Sequence, residues 1–469
     1  MKPIRINNIE WFLDDADMAV PLTEIGPVET GRRGYSILSF RGKRFFLKSF
    51  REKGITGFIR GKMAPRGKRE YEMGRALKAL SIQTPEPVGY GLAADGSYVI
   101  QGFIEGRNLL DVFDDGEDRL VLLERLAHLL SLLRLCRVRH NDLHLNNIIV
   151  NREGLYLIDL HKMVIKKTFT EGDELSNVSH SLAMIYTRMT EEEKIVFFNA
   201  YGNKNIRDRI DREIRRMRMK WITRKRARAF DETSMTKRQG SIIYMKATGA
   251  PDDCALVETI KRDKKTEVLR YTDHVRKLYK SRGRLKRAWE SSVVLAYMGL
   301  HITPEVYYIR MPLFFSKGFI AMEDLKGRGE ELDRFLDRHY RDMSVDERRA
   351  FISNMAGFFS DFLSMDIIHR DMKGCNIFVR KEKGFLLLDL EDIEFRGIDG
   401  ERLKRMLIQL NTTIPVYIKN TDRMRFFLMV TEKLKISKKE VARYIARQSL
   451  EREIVYEGKD GLITERFKV

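Results

Sequence analysis

Apolar and polar residues alternate with different periods along the chain, and the order of those periods occurs twice. Tyr35–Phe40 and Arg44–Phe50 are β-rich runs separated by the turn residues Arg41 and Gly42, which predicts two short strands. Apolar residues at helical spacing over Glu70–Leu80 predict a helix, Tyr98–Phe103 a strand, and Leu120–Leu135 a long apolar helix. Asn147–Val150 and Leu155–Asp159 flank the turn residues Asn151–Gly154 and read as a hairpin. The second half follows suit. It has a strand at Thr266–Arg270, a helix opening at Glu290, a strand at Gly318–Met322, a helix at Glu347–Leu363, and a hairpin from Ile377–Val379 and Phe385–Asp389.

The residues themselves also repeat. The stretch His140-Asn-Asp-Leu-His-Leu-Asn-Asn-Ile-Ile-Val150 returns as His369-Arg-Asp-Met-Lys-Gly-Cys-Asn-Ile-Phe-Val379, with His, Asp, Asn, Ile and Val in register. Thr84-Pro85-Glu86 recurs as Thr303-Pro304-Glu305, upstream of the longer motif each time. A repeat of roughly 200 residues is too long for a solenoid unit and indicates tandem duplication of a domain. The expected partition is residues 1–228 and 229–469. Each half would be an α+β unit with a small antiparallel-β N-lobe (about 1–103 and 229–322) and a mainly helical C-lobe (about 104–228 and 323–469).

The repeated motif has the chemistry of phosphoryl transfer. That reaction needs a carboxylate to orient the attacking hydroxyl and accept its proton, and oxygen ligands to hold Mg²⁺ against a triphosphate. The protein-kinase catalytic loop places Asp and Asn five residues apart and adds a metal-binding Asp on a later strand. Asp142, Asn147 and Asp159 fit this plan, and so do Asp371, Asn376 and Asp389. Asp142 and Asp371 are the candidate catalytic residues, and Asn147, Asp159, Asn376 and Asp389 the candidate metal ligands. A lone loop Asp and Asn can be turn formers. Two sets in register, each followed by an apolar strand ending in Asp, argue for the chemistry.

Upstream, Lys48 stands on a strand where a kinase keeps the Lys that pairs with the α/β-phosphates, and Glu70, with Glu72 as a rival, opens the helix that would supply its partner. Gly31 and Gly34 bracket a short phosphate-covering loop. In the second half Arg270 falls where Lys48 stands and Glu290 where the helix carboxylate is expected, with Lys246, Lys261, Lys264 and Lys265 as substitutes. Arg clamps phosphate but with different geometry from Lys. An active first domain paired with a nucleotide-binding pseudokinase is therefore one alternative.

With these residues in place, each half resembles the lipopolysaccharide kinase (Kdo/WaaP) family. The resemblance rests on the short N-lobe, the basic approach to the helix Glu (Gly67-Lys-Arg-Glu70; Gly283-Arg-Leu-Lys-Arg-Ala-Trp-Glu290), the Thr-Pro-Glu turn and the minimal catalytic core. It implies an enzyme that uses ATP and Mg²⁺ to phosphorylate a heptose or Kdo hydroxyl of the lipid A core. Leu160-His161 and Leu390-Glu391 replace Phe-Gly after the metal Asp, and Asp-Leu-His144 looks like aminoglycoside and choline kinases. No Ala-Pro-Glu landmark follows either Asp, which argues against a phosphorylation-switched protein kinase. A small-molecule or protein kinase of related fold is the other alternative.

Charge adds a partner class. The chain of 469 residues carries a formal +20, which favours an anionic partner. Lys204–Arg228 holds twelve Lys or Arg against Asp208, Asp211 and Glu213, with Ile206, Ile210, Ile214, Met217 and Trp221 at helical spacing. Such a basic amphipathic helix either packs on its own domain or touches an anionic membrane surface. The expected partners are ATP and an acidic lipid-linked sugar acceptor, with peripheral contact to the inner-membrane leaflet. No helix-turn-helix, zinc spacing or aromatic sheet motif points to nucleic acid. Three scattered cysteines and the absence of a signal peptide or a long uncharged apolar run imply a cytoplasmic protein.

Overall fold

The computed structural model describes residues 3–23, 33–51, 64–94, 96–116, 118–249, 254–312, 317–382, 384–432, 434, 436–459 and 461–467. Contacts divide the chain into two units, Met1–Met217 and Arg218–Val469. Both are α+β, with antiparallel sheets and helical C-lobes.

In the first unit six strands lie in the order Ile4–Ile6, Ile9–Leu13, Pro87–Ala93, Gly96–Gly102, Lys43–Arg51 and Arg33–Phe40. Lys48 sits opposite Val99 on one side and Tyr35 on the other. The helix Arg66–Ala79 packs on this sheet. Its Gly67 lies so close to the Tyr98 carbonyl that a Cβ would clash with it. In the C-lobe, the helix Arg119–Leu135 buries Leu122, Leu123, Leu126, Leu129, Leu130 and Leu133, a leucine-rich face that packs against the helix Glu191–Tyr201. Thr170 and Thr190 start the next two long helices with capping boxes, satisfying otherwise orphaned backbone N–H groups.

The second unit repeats the strand order. Thr236–Gln239, Ile242–Met245, Val306–Arg310, Gly318–Met322, Val275–Tyr279 and Thr266–Tyr271 correspond one for one to the first sheet, and Leu256–Arg262 adds an outer seventh strand. The expected alignment of the second N-lobe is therefore off by one strand. Thr266–Tyr271 matches Arg33–Phe40, and the partner of the Lys48 strand is Val275–Tyr279. That strand points Val275, Lys277 and Tyr279 inward. A lysine on the buried face hides its apolar alternation. The following helix is Arg282–Tyr297, capped by Ser281, so Glu290 lies inside it and does not open it.

The basic stretch is helical over Arg207–Ala227, and the division between units falls within it. Ile206, Ile210 and Ile214 belong to the core of the first unit, and Ile222, flanked by Met219 and Trp221, to that of the second. Its isoleucines are thus consumed by the protein's own packing, with Met217 half-buried. Among the described residues, no helix is long and apolar enough to cross a membrane.

Candidate active site

The Lys43–Arg51 strand carries Lys48 toward the C-lobe face of the sheet, and the helix Arg66–Ala79 brings Glu70 beside it. The Lys48 ammonium lies 3.2 Å from the Glu70 carboxylate and also pairs with Asp159. Lys48 is 3% exposed and Glu70 1%. Two such desolvated charges are tolerable only because they neutralise each other. His161 Nδ1 stands 2.9 Å from the same Glu70 carboxylate. Asp159 adopts a left-handed backbone (φ 62°), a conformation rarely used by non-glycine residues and typical of functional sites.

The candidate catalytic loop is held from below. His140 is fully buried, accepts from the Asp142 N–H at Nδ1 (3.2 Å) and faces the Ile158 carbonyl with Nε2 (3.4 Å). Burial pushes its pKa down to about 4, even though the Ile158 carbonyl and the Asp142 and Asp159 charges pull upward. The Asn147 amide donates to the Asp142 carbonyl (2.9 Å), which leaves its Oδ1 free to face a cation. The Ile158 N–H donates to the Asn147 carbonyl (3.0 Å), and the Leu157 N–H to the Gln83 carbonyl (3.0 Å) just before the Thr-Pro-Glu turn. Those two bonds set Asp159 beside Asn147. Asp142 is partly buried, which raises its pKa, but the hydrogen bond and charge of Lys162 outweigh this and hold it below the usual carboxylate range.

The second site has the same frame. Asn376 donates to the Asp371 carbonyl (2.7 Å), the Leu388 N–H to the Asn376 carbonyl (2.9 Å), and the Leu387 N–H to the Ile302 carbonyl (2.7 Å) before the second Thr-Pro-Glu. Asp389 is left-handed (φ 55°). Lys277 lies 2.6 Å from Asp389 and 3.0 Å from Glu391. Glu391 is wholly buried and also receives bonds from Tyr279 Oη (2.9 Å) and Arg284 (2.9 Å). Burial raises the Asp389 pKa, yet Lys277 outweighs that and leaves it lowered; burial lowers Lys277, and Asp389 and Glu391 leave it raised.

These contacts correct two expected residues. Arg270 pairs with Asp324 (2.7 Å) and Glu258, away from Asp389, because its strand is one place further out in the sheet. Glu290 pairs with Arg226 (2.7 Å). The four substitute lysines, Lys246, Lys261, Lys264 and Lys265, are exposed. Gly34 lies within the strand Arg33–Phe40, where its N–H donates to Ser49 Oγ (3.0 Å), and Gly31 lies outside the described residues. Lys277 and Lys162 were missed, whereas Lys373 stood out in sequence as the mark of a protein-kinase-like loop and Glu391 as a departure from Phe-Gly, neither with a partner. The sequence signal for Glu391 was its place two residues after Asp389, and none marked it as a lysine partner.

Both sites carry hard oxygen donors on backbone-bonded neighbouring segments, Asn147 with Asp159 and Asn376 with Asp389, residue types suited to Mg²⁺. Comparison with known proteins fits this geometry. Residues 42–177 match the RIO domain, and residues 295–445 match the lipopolysaccharide kinase (Kdo/WaaP) family. The chain is a tandem pair of kinase-like domains. The two halves match different family models, and the lipopolysaccharide kinase match falls on the second. A solved structure described as WaaP in complex with acyl carrier protein is similar at 17% identity and a TM-score of 0.34, covering 46% of this chain and 97% of that one. No curated protein sequence matches the chain.

Proposed function

We propose that each kinase-like domain transfers the γ-phosphate of ATP to an alcohol, with Asp142 and Asp371 as the bases. The observation that supports this most is that a buried Lys, paired at once to a carboxylate and to the Asp after the hairpin, occurs in both halves. Lys48 and Lys277 would hold the α/β-phosphates, with Glu70 and Glu391 fixing their positions. Mg²⁺, held by Asn147 with Asp159 and by Asn376 with Asp389, would offset the phosphate charge. The base orients the acceptor hydroxyl and takes its proton. Because Lys277 fills the second site, Arg270 no longer motivates a pseudokinase there.

The acceptor reading is a sugar hydroxyl of a lipopolysaccharide core, supported by the family match of residues 295–445 and by the net positive charge. The exposed basic residues of the Arg207–Ala227 helix, including Arg212, Lys220 and Arg224, would meet an anionic leaflet by charge alone, since the helix's apolar side is packed. Vesicle co-sedimentation that persists in high salt would contradict this.

Asp142→Ala and Asp371→Ala, each assayed for ADP release from Mg²⁺·ATP, are expected to lower turnover singly by a part and together to background. If the double variant turns over as the parent does, the assignment is wrong. Incubation with core oligosaccharides and mass measurement of the products tests the acceptor, with a gain of one phosphate expected.

A further inference from the structure

Each candidate base has an ammonium group on its carboxylate, but the two ammonium groups come from different places in the chain. In the second domain it is Lys373, two residues after Asp371 in the catalytic loop, with Nζ 2.9 Å from one carboxylate oxygen and 3.0 Å from the other. In the first domain that loop position is His144, whose Nε2 stays 3.6 Å from Asp142. There the ammonium belongs to Lys162, three residues after Asp159, which pairs with Asp142 Oδ2.

The exchange is reciprocal. Three residues after Asp389 the second domain has Asp392, whose carboxylate is 2.6 Å from Arg370. The backbone at these positions is the same in both domains, since the Asn141 N–H donates to the Lys162 carbonyl (3.2 Å) and the Arg370 N–H to the Asp392 carbonyl (2.9 Å). In the first domain the Asn141 side chain adds a second bond to that carbonyl (2.9 Å). Lys162 is thus anchored at its backbone beside the catalytic loop, with its side chain crossing to the base.

We propose that Lys162 contacts the transferring phosphoryl group of the first site, supplying from the segment after Asp159 the ammonium that the second site takes from Lys373. This rests on the phosphotransferase reading. An ion pair alone explains the contact poorly, because both side chains are about a third exposed and an exposed pair of this kind adds little to stability. A lysine ammonium has three N–H donors, so it can stay on the base and donate to a phosphoryl oxygen at the same time. In the step, the acceptor oxygen bonds to the γ-phosphorus and its proton passes to Asp142. The bond from the γ-phosphorus to the β–γ bridging oxygen breaks, and the electron pair leaves with the nucleoside diphosphate. Lys162 offsets the charge on the γ-phosphoryl oxygens as that bond breaks.

The test uses the full-length chain with Asp371→Ala, so that only the first site reads, and follows ADP release from Mg²⁺·ATP with water as acceptor. Lys162→Ala is expected to lower kcat roughly 10- to 100-fold, with little change in KM for ATP or in Tm. Adding His144→Lys, which moves the ammonium to the position used by the second domain, is expected to restore most of that loss. Lys162→Met, which keeps the aliphatic stem, serves if the alanine variant does not fold. Unchanged kcat in Lys162→Ala, or a loss that His144→Lys leaves in place, overturns the inference alone. A parent protein that releases no ADP overturns the phosphotransferase reading and this inference with it.

Discussion

Lysine and glutamate at a kinase-like centre act as a pair, and in this chain the pair is built from different residues in the two domains. Counted back from the left-handed residue after each N-lobe helix, Ser81 and Gly299, Ala288 stands at the position of Glu70. The second domain recovers the lost carboxylate through Glu391, at the position held by His161 in the first. One buried carboxylate per lysine is retained because a desolvated ammonium left without a partner costs several kcal/mol. Lys277→Ala, in a chain carrying Asp142→Ala, is expected to reduce ATP turnover by roughly 10- to 100-fold. Arg270→Ala in the same background is expected to stay within about threefold, since among the described residues Arg270 pairs with Asp324 and Glu258, away from Asp389. Steady-state ADP release separates the two outcomes. Neither Lys277 nor Glu391 could be read from the sequence. Lys277 is an isolated residue in an unremarkable run, Glu391 showed only its place after Asp389 and Leu390, and only contact made them partners.

At the scale of elements, the two N-lobe helices begin with similar basic stretches but carry different constraints. Gly67 faces the backbone of the Gly96–Gly102 strand and has no room for a Cβ, whereas Gly283 would meet only the tips of Arg287 and Ser281, at 3.7 and 3.8 Å. Gly67→Ala is expected to destabilise the first unit by about 1–3 kcal/mol, and to weaken ATP binding, because the helix that carries Glu70 must shift. Gly283→Ala should be neutral or stabilising by up to about 1 kcal/mol. Thermal unfolding with and without Mg²⁺·ATP measures both. The catalytic hairpins and the long apolar helices were legible in sequence because their periodicity is local. The Val275–Tyr279 strand was not, since its buried lysine breaks the apolar alternation that marks a strand. The basic helix was legible as amphipathic, but whether its apolar residues met protein or lipid depended on what packed against them.

Across the whole molecule two buried groups, one in each unit, respond to acid in opposite ways. His140 in the first unit is held neutral, with a pKa near 4. Above about pH 6.5 the imidazole is neutral in folded and unfolded chains alike, and below it only the unfolded chain takes up a proton. Stability is therefore lost as pH falls from about 6.5 to 4, by about 2 kcal/mol at pH 5. In the second unit, burial raises Asp333 to about 6, although the Glu457 and Arg334 N–H groups pull it down. Its folded carboxyl protonates before the unfolded one, so this group contributes stability as pH falls through 6 toward the unfolded value, by about 1.4 kcal/mol at pH 5. Burial also lowers the His274 pKa in the second unit, against the pull of Asp273, so that group acts in the same sense as His140. Calorimetry of Asp333→Asn against the parent at pH 7 and pH 5 isolates the carboxyl, and the variant should lack its gain. By itself the sequence determined the duplication, the Asp and Asn spacing of each candidate catalytic loop and the Asp that ends each following strand, because these lie within short contiguous stretches where local geometry sets the arrangement. Tertiary structure alone decided which strand brings a lysine to each site, which carboxylate holds it and which ammonium rests on each candidate base. Those partners lie far apart in the chain, as Lys277 and Asp389 do across 112 residues, and strand order in the sheet determines which of them meet.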